Sequence, residues 1–208
     1  MIFLITNRKL AYDRGFYEVI KEAIKAGIYA VILREKDLPY ELLLPIAAKI
    51  KKIIGDSGVK LIINNNIEVA KVIGADGYHT NFASFIGENI SFNGARGVSV
   101  HSLEDAVEAE KHGANYILLG HIFKTDCKKG VPPRGAELIR TIRKHVSIPI
   151  ISIGGIHPDN VHLVMEAGSD GIAVMSSIMQ AKDPYSLVRE YMLSKIGRAS
   201  CRERVFAG

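Results

Sequence analysis

Cysteine is scarce in this chain. Two occur in 208 residues, Cys127 and Cys201, and they cannot form a C-x-x-C spacing. A disulfide framework and a cysteine-built zinc site are therefore both excluded. Long apolar runs are missing too, none approaching the roughly 18–20 residues that cross a bilayer. The opening M-I-F-L-I-T-N has no basic leader and no small-residue cleavage site, and polar N-R-K interrupts it. That pattern predicts a first core strand and a cytoplasmic protein. Charge of one sign is not concentrated either. The formal net charge is +5, but the cations are spread along helical phrases such as K-I-K-K and I-R-T-I-R-K-H. With no helix-turn-helix phrase and no basic arm, the expectation is no nucleic-acid partner and no membrane.

What is present is a repeating rhythm. Hydrophobic residues make up 48% of the chain, enough for a full core. Short β-branched runs at 2–6, 30–34, 60–64, 77–80, 96–100, 116–120, 149–153 and 171–175 predict strands. Stretches at 15–26, 41–54, 67–73, 103–112, 135–145, 159–167 and 184–194 carry apolar residues three and four apart and predict helices. A-G-I-Y-A-V, I-G-A-D-G-Y, H-G-A-N-Y-I and A-G-S-D-G-I each end a helix at a glycine before a strand. Strands so uniformly apolar suit a parallel sheet buried on both faces. The expected fold is an α/β (β/α)8 TIM barrel, one domain over residues 1–195. A doubly wound sheet is the runner-up, and the lack of G-x-G-x-x-G after the first strand speaks against it. Residues 196–208 change character and read as a non-native tail, outside any functional reasoning.

In such a barrel the site lies where strands end at the C-terminal face. That rule selects Arg34, Glu35 and Lys36 after strand 2, Asn64, Asn65 and Asn66 after strand 3, and His79 after strand 4. It adds Ser99 and His101 after strand 5, His121 and the loop to Lys129 after strand 6, and Gly154–Gly155 and Ser176–Ser177 after strands 7 and 8. The pair I-G-G-I and V-M-S-S predicts a phosphate cradle, with Gly154, Gly155, Met175 and Ser176 offering backbone N–H groups. Arg34 and Lys36 are candidate anion binders, or part of a surface salt-bridge cluster with Glu35. His79 and His101 read equally as structural or functional. The N-N-N phrase lacks the carboxylates with which a divalent metal would hold a diphosphate, so no metal is expected.

V-I-L-R-E-K, L-I-I-N-N-N, G-A-D-G-Y-H, G-V-S-V-H-S-L-E-D-A, I-P-I-I-S-I-G-G-I and A-G-S-D-G-I-A-V-M-S-S resemble, in order and spacing, the thiamine phosphate synthase superfamily. The resemblance covers nearly all of residues 2–194. Its synthase branch joins a pyrimidine diphosphate to a thiazole phosphate with Mg²⁺, using a strand-2 glutamine and aspartates after strands 3 and 4. Here those places hold Ile32, Asn65 and Ser84. G-H-I-F-K-T-D-C-K-K-G followed by Arg134-Gly135 looks closer to the thiazole tautomerase branch.

That resemblance implies a cofactor-free isomerase of thiamine biosynthesis, which aromatises a carboxylated thiazole phosphate by moving a proton. Histidine is the natural shuttle at neutral pH, so His121 is expected to be catalytic. Thr125, Asp126, Cys127 and Lys128 are expected around the thiazole carboxylate, with the glycine pair, Met175 and Ser176 on the phosphate. The alternatives are a synthase-like transferase, or a thiazole phosphate-binding or regulatory barrel without turnover. Apolar positions on an outer helix are compatible with a homodimer.

Overall fold

Runs rich in valine, leucine and isoleucine alternate with amphipathic stretches, and in the computed structural model they become eight parallel strands in a closed barrel. The structure describes residues 1–11, 15–88, 90–125 and 130–195. The strands are β1 (Ile2–Ile5), β2 (Ala30–Leu33), β3 (Lys60–Asn64), β4 (Gly77–Asn81), β5 (Ala95–Val100), β6 (Tyr116–Gly120), β7 (Ile150–Ile153) and β8 (Gly171–Val174). The ring closes where β1 pairs with both neighbours, Phe3 opposite Ala30 on β2 and Ala173 on β8. The (β/α)8 expectation is met. None of the described helices is long and apolar enough to cross a membrane.

Alternation along each strand explains why the runs are apolar on both faces. Phe3, Ile5, Ile32, Ile62, Leu118 and Ile151 fill the barrel interior. Leu4, Val31, Leu33, Leu61, Ile63 and Leu119 face the surrounding helices. Inside, large residues meet small ones. Tyr116 lies against Phe3, with ring centroids 5.6 Å apart. A Cβ on Gly97 would come within 2.0 Å of the Tyr116 ring. Glycine there is a packing requirement of the tyrosine.

The outer layer is α1 (Phe16–Ala26), α2 (Tyr40–Ile54), α3 (Ile67–Ile73), α4 (Phe82–Gly87), α5 (Leu103–Lys111), α6 (Gly135–Arg143), α7 (Val161–Glu166), α8 (Ser176–Met179) and α9 (Pro184–Lys195). A 3-10 turn, Arg8–Leu10, follows β1. The helix-ending glycines behave as their phrases suggested. Gly27 closes α1 with φ 96°, and its N–H returns to the carbonyls of Ala23 and Ile24. The six-residue α4 was not expected, and the helix expected to open after strand 8 is only the four-residue α8. Segments that short do not repeat an apolar stripe, so periodicity has nothing to register. The segment 196–208 lies outside the described residues.

Candidate active site

All eight strands point their C-terminal ends at one cavity of about 1350 Å³. Arg34, Lys36, Asn64, Asn65, His79, Ser99, His101, His121, Thr125, Gly154, Gly155, Met175, Ser176 and Ser177 all line it. Residues chosen by one topological rule are thus brought together. Asp126, Cys127 and Lys128 lie outside the described residues.

The β2 end is built around a buried carboxylate. Alternation sends Glu35 away from the cavity that Arg34 and Lys36 line, and its side chain is only 2% exposed. Glu35 accepts the Thr6 hydroxyl at 2.8 Å and the Arg8 N–H at 3.1 Å, and pairs with the Arg8 guanidinium at 3.0 Å. Thr6 Oγ1 in turn accepts the Arg34 N–H at 3.0 Å. Arg8 also forks onto Asp37, with both bonds at 2.7 Å. That fork, aided by Lys9, holds the Asp37 carboxyl well below the usual carboxylate range. The R-E-K phrase is therefore a pinned loop whose acid binds across to β1. Arg8, which makes this possible, follows β1 at the same end of the barrel, and sequence reasoning missed it because strand-end residues were selected only from strand 2 onward.

The three asparagines divide their work. Asn64 ends β3. Asn65 takes a left-handed conformation, φ 59°, and its Oδ1 accepts the Thr80 hydroxyl at 3.0 Å. Asn66 caps α3, its Oδ1 accepting the Val69 N–H at 3.0 Å. Asn81 does the same for α4 and engages Ser84 there. Asn81 also lines the cavity, a second role its phrase did not advertise. A short, polar side chain at a strand–helix junction serves as cap first.

His79 sits within the barrel, its Nδ1 3.0 Å from the Tyr116 hydroxyl and its Nε2 2.9 Å from Ser99 Oγ. Burial, with the Arg34 cation adding to it, pushes its pKa down to about 3. The same burial raises the Tyr116 phenol. Both stay neutral at ordinary pH.

β6 and β7 continue their ladder beyond the strands. Ile122 N–H reaches the Ile153 carbonyl at 2.9 Å and Phe123 N–H the Gly154 carbonyl at 3.0 Å. This lacing defines what the glycine pair is for. Gly154 and Gly155 have φ of 98° and 64°, and a Cβ on Gly154 would stand 2.3 Å from His121 Cβ. One on Gly155 would stand 2.4 Å from the Lys124 carbonyl oxygen. The glycines make room for the β6 loop, which brings His121 against the rim. His121 is itself buried, and its Nε2 donates to the Val131 carbonyl at 3.2 Å. With that nitrogen carrying the hydrogen, Nδ1 is the basic one in the neutral ring. Across the rim, β8 runs into the four-residue α8. The phosphate donors expected there are individual N–H and hydroxyl groups rather than the field of a long helix.

The Mg²⁺ that the resemblance attaches to synthases does not fit these residues. The described cavity lining contains no aspartate or glutamate. Among the described residues, no three His, Cys, Asp or Glu side chains gather as a metal site.

Comparisons with known proteins agree along the whole barrel. A family model described as Thiamine monophosphate synthase (TMP-TENI) matches residues 2–178. The Thiamine-phosphate synthase of Clostridium acetobutylicum is 38% identical over 185 residues, 87% of this chain and 88% of that protein. That of Chloroflexus aurantiacus is 36% identical over 193 residues, 91% and 89% of the two chains. Among solved structures, the thiamine phosphate pyrophosphorylase of Pyrococcus furiosus superposes with a TM-score of 0.82 at 32% identity, covering 93% and 94% of the two chains. These findings correct one expectation. Relatives that share most of their length with this chain are named as synthases, which are transferases, and the isomerase assignment is overturned. The phrase G-H-I-F-K-T-D-C-K-K-G had weighed too heavily. Four of its residues lie outside the described structure, and the rest form a loop packed on a glycine pair.

Proposed function

The chain belongs to the thiamine monophosphate synthase family, and on that premise we propose that it is a transferase joining a pyrimidine diphosphate to a thiazole phosphate in thiamine biosynthesis. The observation that supports this reading is one mouth lined by two cations after β2 and by the glycine pair and serines after β7 and β8. A two-substrate transfer needs room for both anions in one cavity. At the β2 end, Arg34 and Lys36 face the diphosphate, where two fixed cations counter the charge that builds on a departing diphosphate. Asn65 and Ser99 flank them with neutral polar groups. At the β7–β8 end, Gly154, Gly155, Met175 and Ser176 hold the thiazole phosphate through short donors. His121 and Thr125, on the loop after β6, line the same cavity beside the β7 end.

A second reading has one observation in its favour. Asn65 and Ser84 stand where carboxylates are expected, and the described lining is free of acids. That donor set suits a barrel that binds thiazole phosphate without turnover.

Incubating the chain with a pyrimidine diphosphate and a thiazole phosphate, with and without Mg²⁺, separates the two. Coupled product with released diphosphate is the outcome expected of the transferase. Thiazole phosphate binding without coupling supports the second reading, and neither binding nor coupling defeats both. Arg34→Ala is expected to lower kcat/KM by at least about tenfold, the loss of one charged contact of about 1.5–3 kcal/mol.

A further inference from the structure

One polar chain crosses the apolar barrel interior, from Tyr116 on β6 through His79 on β4 to Ser99 on β5. Tyr116 is fully buried, and the bare Gly97 gives its ring the room to reach His79. A neutral imidazole has one N–H and one lone-pair nitrogen, so this chain has two available polarities. The phenol decides between them. Among the described residues, the hydrogen-bond partner of its hydroxyl is His79 Nδ1. A phenol that accepted there would bury its own hydrogen without an acceptor, which a closed core does not tolerate cheaply.

We propose that Tyr116 and His79 are positioning residues that fix the Ser99 hydroxyl as a hydrogen-bond donor aimed into the mouth, toward an anionic oxygen of a phosphorylated ligand. Tyr116 donates to Nδ1, so the ring hydrogen sits on Nε2 and is donated to Ser99 Oγ. With that lone pair engaged, the Ser99 hydrogen turns from the histidine to the cavity that Ser99 lines. Burial supports the scheme by keeping the ring uncharged. Arg34 is near enough for its charge to act on the same ring. The hydroxyl and this cation therefore address one region, and a phosphate oxygen suits both. The ligand class rests on the transferase reading; the polarity of the relay does not.

Two measurements test the proposal. In ligand-free wild-type protein, the ring nitrogens of His79 are followed by ¹⁵N NMR from pH 5.5 to 8, assigned by their loss in His79→Gln. A neutral ring protonated on Nε2 throughout is expected. A hydrogen on Nδ1, or a ring that titrates in this range, overturns the relay. Binding of inorganic pyrophosphate is then measured by calorimetry in a two-by-two set with Tyr116→Phe and Ser99→Ala. Each single change is expected to weaken binding about three- to tenfold, as one hydrogen bond does. The double variant is expected to be no weaker than Ser99→Ala alone, because Tyr116 acts through Ser99. Additive losses would show that Tyr116 acts by another route and would reject the proposal. No pyrophosphate binding by wild type would reject the anionic ligand of the proposal, while the coupling assay judges the transferase reading and the NMR result judges the relay.

Discussion

Burial of one neutral histidine ties the stability of this barrel to pH. His79 has its pKa pushed from 6.5 to about 3 by burial, with Arg34 adding to the effect. In the unfolded chain it regains its ordinary value, so between these limits the unfolded state binds the extra proton. The stability that goes with a neutral His79 is complete above pH 6.5 and declines as pH falls toward 3. Between pH 7 and pH 5 the loss attributable to this residue is about 2 kcal/mol. Urea midpoints at the two pH values should reveal it, and His79→Gln should flatten the slope. An equal slope in the variant would assign the acid sensitivity elsewhere. The sequence left His79 open between structural and functional roles, because a histidine after a short strand has no periodic partner to betray its depth. Its two ring bonds reach residues 37 and 20 positions away.

At the scale of elements, the ends of the strands matter more than the strands. β2 delivers its two cations to the mouth because the residue between them is anchored behind it. Glu35 carries the Thr6 hydroxyl, the Arg8 N–H and the Arg8 guanidinium on one buried carboxylate. Glu35→Gln keeps the shape and removes the charge. It is expected to cost about 2 kcal/mol in chemical unfolding, the scale of hydrogen bonds to a charged group. It should also weaken pyrophosphate binding, since Arg34 and Lys36 lose their fixed base. Asp37→Asn, on the exposed partner, should change stability far less. Unchanged pyrophosphate affinity in Glu35→Gln would separate the anchor from the anion site. α4 and α8 also belong to this scale. The extent of neither was legible beforehand, because they are short and are defined by a cap or a loop rather than by a stripe.

For the molecule as a whole, the closing seam is where integrity is decided. β1 pairs with β8, and α9 packs beside α1 to cover the seam. Tyr191 on α9 is fully buried and donates its hydroxyl to the Ile156 carbonyl at 2.8 Å, just beyond the glycine pair of the rim. The last helix is thereby tied to the functional face. Tyr191→Phe is expected to cost about 1 kcal/mol for the lost bond. Tyr191→Ala is expected to cost about 3–5 kcal/mol, as removal of a large buried ring does. Both are read from denaturant midpoints, and a near-zero effect of the alanine change would show that α9 is dispensable to the barrel.

What the sequence determined by itself was periodic. Alternating strand and helix patterns, glycine phrases at helix ends and the rule that strand ends face the mouth sufficed for the (β/α)8 fold and most of the cavity wall. Those features are local, repeated and read directly from spacing. The tertiary structure alone decided partnership. It bound Glu35 to Arg8, set Tyr116 beneath His79, and filled the space beside Gly154 and Gly155 with the β6 loop. Such contacts join residues far apart in the chain, and their energies depend on burial and direction, which spacing does not carry.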